Sequence, residues 1–140
     1  MITDDEGLKN ILVSTRVVAS VGVSSNEDKP SYWIFNYLKN NGYDMIPVNP
    51  TIPEIQGLKT FPDLNSITTK VDVVQVFRRP EDVPLVVQAA IQIGAKVVWM
   101  QVGVINHEAA HQAEAAGLKV VMDRCMRDTH RRLLGGLSSL

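Results

Sequence analysis

Five short runs of β-branched and apolar residues alternate along the chain with segments whose apolar positions recur at helical spacing. The runs are Val17–Gly22, Tyr43–Val48, Val71–Val76, Lys96–Met100 and Leu118–Met122. Each is nearly continuous in its hydrophobicity, as expected of strands covered on both faces of a parallel sheet. Helices are predicted over Pro30–Asn40, Glu81–Ile93 and from the Asn106 cap to Ala116. Pro30 suits a first helical turn, and Gly42, Gly94 and Gly117 suit the stops. In the second of these helices Val83, Val86, Val87, Ala90 and Ile93 share one side. Short helices are also predicted at Asp4–Leu12, opened by Asp4, Asp5 and Glu6, and at Met126–Leu134. A proline-rich connection (Pro50, Pro53, Pro62) follows the second strand, with a helical turn predicted at Asp63–Ile67.

This alternation predicts an α/β fold: a Rossmann-like, doubly wound five-stranded parallel sheet with helices on both faces. The expected strand order is 3-2-1-4-5. At 140 residues the chain is expected to form one domain over 1–140, and 45% hydrophobic residues are ample for its core. Ligands of such sheets bind outside the carboxyl ends of the strands. That rule selects the loops Gly22–Lys29, Val48–Pro50, Phe77–Pro80 and Gln101–Gly103.

The first loop, Gly22-Val23-Ser24-Ser25, joins a buried strand to a helix N-terminus. Its backbone N–H groups, its hydroxyls and nearby Lys29 suit a pyrophosphate. The dinucleotide fingerprint is incomplete, because Ser24 and Glu27 stand where its second and third glycines belong. The second strand ends in Val48-Asn49-Pro50, without the acidic residue that binds the ribose of NAD. A ligand with a phosphorylated ribose, such as coenzyme A (CoA) or NADP, avoids that requirement. Arg78 and Arg79 follow the third strand, where an arginine can fork onto a phosphate; the plainer alternative is a solvated pair balanced by Glu81 and Asp82.

The remaining signals mostly exclude functions. Net charge is −1, so no broad basic face for nucleic acid is expected. The acidic start, Met1 to Glu6, is unlike a signal peptide, and no apolar run is long enough to span a bilayer. The single cysteine, Cys125, excludes an internal disulfide and fits a reducing compartment, so a cytoplasmic protein without a membrane partner is expected. His107-Glu108-Ala109-Ala110-His111 matches the zinc-protease helix pattern. However, Ala109, Ala113 and Ala116 are expected to face the sheet and leave both histidines in solvent, so no metal site is expected. Neighbouring arginines and a following helix could lower the Cys125 pKa, but a small buried thiol is the commoner outcome. A mixed disulfide between Cys125 and a thiol ligand is a further expectation to test. Trp33, Tyr37 and Trp99 are read as core or crevice-wall residues, and no nucleophile elbow or other catalytic set is found.

Five segments occurring in order carry a resemblance: Val21–Ser24, Gly42–Pro50, Val76–Glu81, Val98–Gly103 and Val120–Cys125. Together they resemble the small stand-alone CoA-binding proteins often labelled YccU-like, over about Val17 to Leu134. That family's fold is similar to the CoA-binding domain of the succinyl-CoA synthetase alpha subunit. The resemblance implies that Gly22, Val23, Ser24, Ser25, Lys29 and Ser31 bind the CoA phosphates. It places Asn49 and Pro50 against the adenosine, and Phe77, Arg78, Arg79 and Val83 against the nucleotide and pantetheine portions. Gln101 and Gly103 would border the thiol end. The synthetase's second domain and its phosphorylated histidine have no counterpart here. The expectation is therefore a protein that binds CoA or an acyl-CoA without chemistry of its own. The alternatives are an NAD(P)-binding redox sensor or small dehydrogenase, and a degenerate interaction domain that has lost its ligand or an accessory piece for a separate synthetase subunit; no protein partner is specified.

Overall fold

The computed structural model describes residues 1–135, so the last five residues of the domain predicted over 1–140 lie outside the described residues. The strands are β1 (Val17–Val21), β2 (Asp44–Val48), β3 (Glu54–Ile55), β4 (Leu58–Lys59), β5 (Val73–Val76), β6 (Val97–Met100) and β7 (Lys119–Val121). The helices are α1 (Asp5–Ser14), α2 (Pro30–Asn40), α3 (Val83–Gln92), α4 (His107–Ala115) and α5 (Met126–Leu134). Caps set several of the ends. The Asp4 side chain accepts from Gly7 N–H, and the Asn106 side chain accepts from Ala109 N–H at 2.9 Å. Each satisfies a donor that the first helical turn leaves open. The predicted turn after Pro62 is a 3-10 turn, Leu64–Ser66, capped by Asp63.

The five long strands form one parallel sheet, and the predicted fold class holds. The expected order does not. The sheet runs β2-β1-β5-β6-β7, which is 2-1-3-4-5 in the numbering of the five predicted strands. The correction has a steric cause. Helix α2 connects β1 to β2 on one face of the sheet, where Ile34, Phe35 and Leu38 pack with Val18 and Met45. The connection from β2 to β5 buries Leu64, Ile67 and Val71 on the opposite face, with α3 and α4. Right-handed crossovers on opposite faces must travel in opposite directions. The third long strand therefore passes β1 and lands on its far side. The place beside β2 is taken instead by Phe61, whose N–H donates to the Pro47 carbonyl at 3.0 Å.

Two faces of the sheet thus build two apolar layers. Ala19, Val74, Val98 and Val120 meet α3 and α4; Val18, Val73, Val97, Trp99 and Val121 meet α1, α2 and α5. On the second layer His130 is buried edge-on against the rings of Tyr37 and Tyr43, 5.5 and 5.7 Å away. Its Nδ1 is 2.8 Å from the Tyr37 hydroxyl, while Tyr43 donates to the Leu12 carbonyl at 2.6 Å. Burial lowers the His130 pKa from its ordinary 6.5 and pushes Tyr43 up to about 12.

A histidine with a depressed folded pKa binds its proton more readily once the chain is unfolded. Its contribution is therefore fully present above 6.5 and is lost as pH falls below that value. Urea midpoints taken at about pH 7.5 and about pH 5.5 should fall on acidification, and His130→Gln should flatten the difference. An equal fall in both proteins contradicts this assignment.

Candidate functional site

The corrected order moves the switch point to the gap between β1 and β5, where the chain's two crossover directions diverge. Val21 pairs with Val76 there, and Phe77 N–H donates to the Val21 carbonyl at 2.9 Å. The loops after β1 and β5 are consequently neighbours. Gly22 has φ +88°, and a Cβ placed on it would lie 3.1 Å from the Phe77 carbonyl oxygen and 3.0 Å from the Arg78 Cδ. Only glycine fits that conformation and that approach without strain.

Gly22, Pro50 and Arg78 line a crevice of about 230 Å³ together with Val48, Pro62, Asp63, Leu64, Asp82, Leu85 and Val86. Its walls are mainly prolines and aliphatic side chains. A space of this size takes one ring system rather than a whole dinucleotide. Pro62, Asp63, Leu64, Leu85 and Val86 were not legible as site residues. Leu85 carried one signal: its spacing sets it off the apolar side shared by Val83, Val86, Val87, Ala90 and Ile93, and it remains 72% exposed.

On the other side of Gly22 the loop is tied to itself. Ser24 N–H donates to the Ser31 hydroxyl at 3.0 Å, and the Ser24 hydroxyl accepts from Asn26 N–H at 3.0 Å. Asn49 donates to the Val23 carbonyl at 3.1 Å, joining the ends of β1 and β2. Ser24 keeps its hydroxyl proton free to donate outward. Ser25 and Lys29 are exposed beside the N-terminus of α2, whose partial positive charge adds to that of Lys29.

Arg78 and Arg79 both reach the Asp82 carboxylate, at 3.3 Å each. Burial pushes the Asp82 pKa up, but the hydrogen bond and charge of Arg79, with the charge of Arg78, outweigh it and hold the pKa below the ordinary value. Among the described residues Asp82 alone pairs with the two guanidiniums. Asp63 also lines the crevice, so two carboxylates balance the two arginines there, and the added positive charge comes from Lys29 and the N-terminus of α2 beside it.

Other predicted site residues are placed differently. Val23 and Val83 are fully buried, in the two core layers, so only the Val23 backbone is near the loop surface and Val83 is a core residue. Gln101 turns inward: its side-chain oxygen accepts from Gln75 at 3.3 Å and from Met126 N–H at 3.1 Å. Gly103 is exposed one strand farther along, its N–H donating to the Asp123 carboxylate at 2.8 Å. Phe77 is half-buried against the α2 layer.

Burial pushes the Cys125 thiol up, more strongly than the Asp128 N–H and the Gln101 side chain pull it down. The neighbouring arginines do not activate it. His107 and His111 are exposed on α4, while Ala109, Ala110 and Ala113 are buried and Ala116 is exposed. Among the described residues no group of three or more His, Cys, Asp or Glu side chains is placed to hold a metal ion. No helix among them is long and apolar enough to cross a membrane.

These features define a doubly wound α/β protein whose candidate site lies at the β1–β5 switch point. Residues 16–131 match the CoA binding domain family, and the chain belongs to that family. It is 37% identical over 123 residues to the uncharacterized protein YneT of Bacillus subtilis, covering 88% of this chain and 91% of YneT. A hypothetical protein from Pyrococcus horikoshii OT3 superposes with a TM-score of 0.93 at 40% identity, covering 95% of this chain and 94% of that one. The chain is also 27% identical over 121 residues to the ADP-forming acetate–CoA ligase I of Archaeoglobus fulgidus, covering 79% of this chain but only 18% of the ligase.

Gly22→Ala is expected to lose about 1–3 kcal/mol, because strain at a positive φ adds to the clash with Phe77. Gly103 also has a positive φ (+82°) but open space around it, so Gly103→Ala should lose about 1–2 kcal/mol from conformation alone. Guanidinium denaturation of the two variants compares them. A Gly22 variant no less stable than the Gly103 variant contradicts the close approach of the two loops.

Proposed function

We propose that this chain is a cytoplasmic domain that binds CoA or an acyl-CoA and performs no covalent chemistry of its own. The observation that carries this reading is the bare Gly22 backbone at the switch point, with Arg78 packed directly across from it. A phosphate needs donors and positive charge close at hand, and the β1 and β5 loops bring Lys29, the N-terminus of α2, Arg78 and Arg79 to this one place. Membership of the CoA binding domain family supports CoA as the source of that phosphate.

In this reading the Val23 backbone, the Ser24 and Ser25 hydroxyls, Lys29 and the Ser31 end of α2 hold the phosphates, while Gly22, whose N–H donates to the Val48 carbonyl at 2.9 Å, contributes the close approach of the two loops. Arg78 and Arg79 turn from Asp82 toward the ligand. The adenine ring lies in the crevice between Pro50, Pro62, Leu85 and Val86, with Asn49 bracing its wall. Phe77 borders the start of the pantetheine arm. Gln101 and Gly103 mark the direction of the thiol end, Gln101 by its backbone and through its hold on Gln75. Val83 supports α3 from within and touches no ligand. Burial raises the pKa of the Cys125 thiol, which favours its less reactive protonated form.

A thermal-shift series with CoA, dephospho-CoA, acetyl-CoA, NADH and NADPH tests the reading, because a ligand that binds only the folded chain raises its stability. CoA should raise the melting temperature, and dephospho-CoA should raise it less. The Arg78→Ala/Arg79→Ala double variant should bind CoA at least about tenfold more weakly in calorimetry, since each charge-assisted contact is worth about 1.5–3 kcal/mol. A response to NADH or NADPH alone, or an unchanged affinity in the double variant, overturns it.

A further inference from the structure

Ser20 on β1 and Gln75 on β5 face each other in register, and both are completely buried. Strand alternation puts them on the α2 and α5 side: Val18 and Val73, two residues earlier on each strand, lie in that layer. Each carries an unpartnered atom, the Ser20 hydroxyl and the Gln75 side-chain oxygen. Buried polar atoms are rarely left so, and an orphan costs about 1–3 kcal/mol.

The orientation of the Gln75 amide is determined. The Gln101 side-chain oxygen already accepts from Met126 N–H, so it is an acceptor, and Gln75 must present its NH₂ to it. The Gln75 oxygen therefore faces away from Gln101. Along the strands, the next positions on the same side are Gly22 above Ser20 and Phe77 above Gln75. Gly22 has no side chain, so none from that position lies over Ser20.

We infer that Ser20 and Gln75 form a polar subsite at the floor of the switch point that receives an amide of the ligand. The serine hydroxyl donates to the amide oxygen, and the Gln75 oxygen accepts from the amide N–H. A secondary amide carries one acceptor and one donor on opposite edges of its plane, so an amide lying between the two side chains meets both. This rests on the CoA reading: the pantetheine arm of CoA carries two such amides, and its nucleotide half carries none. Gln101 is the positioning residue that keeps the Gln75 oxygen turned toward the ligand.

Ser20→Ala tests this, with CoA and 3′-phosphoadenosine 5′-diphosphate, the nucleotide half without the arm, titrated into the wild-type and variant proteins. The variant should melt no lower than wild type without ligand, because it removes an orphan polar atom. It should bind CoA about three- to tenfold more weakly, the range expected for one neutral hydrogen bond, and bind the nucleotide half unchanged. Unchanged affinity for both ligands means that an internal water satisfies the pair, and the inference fails while the CoA reading stands. An equal loss for both ligands means a purely structural role and also overturns it. If wild type binds neither ligand, the CoA reading itself fails and takes the inference with it.

Discussion

The pairing of β1 with β5 is the constraint on which the rest of this structure depends. It follows from where the segment between β2 and β5 can bury its apolar residues. Leu64, Ile67 and Val71 pack on the face opposite α2, and handedness then sends the next strand to the far side of β1. Once the two strands are neighbours, their loops are neighbours too. Gly22 must then be a residue without a side chain, and Arg78 must project over it. The crevice, the two arginines and the buried Ser20–Gln75 pair all sit on that one seam.

Most of the fold was legible because its signals are local. Continuous apolar runs, Pro30 at a helix start and the Asn106 cap report on their own neighbourhoods, and each element they marked is present. Strand order was not legible, because it depends on which face a loop covers, and no run of residues within 50–71 states that. The small hairpin of β3 and β4 also went unread. Its turn residues, Gln56 and Gly57, both have positive φ (52° and 78°), a geometry usually announced by Asn-Gly.

The candidate site divides in the same way. Gly22, Ser24, Asn49, Pro50, Arg78 and Arg79 were visible from their places at strand ends, and the fold gathers them around one gap. The family resemblance placed Val23 and Val83 beside a ligand, but core packing claims their side chains. The apolar wall from Pro62 to Val86 was hidden for the opposite reason. Its residues come from two distant segments that meet only because the sheet is wound as it is.

The rims of the sheet carry one more consequence. On the outer side of β2 stands Phe61, bonded to Pro47, and on the outer side of β7 Ile2 N–H donates to the Val120 carbonyl at 2.8 Å. Residues outside the strands thus occupy backbone positions where a foreign strand would add. Growth of the sheet by strand addition is obstructed at both margins. A second chain that meets these margins finds loops and side chains rather than a continuous open strand edge, so shape and charge, more than the repeating grammar of the backbone, decide what fits there.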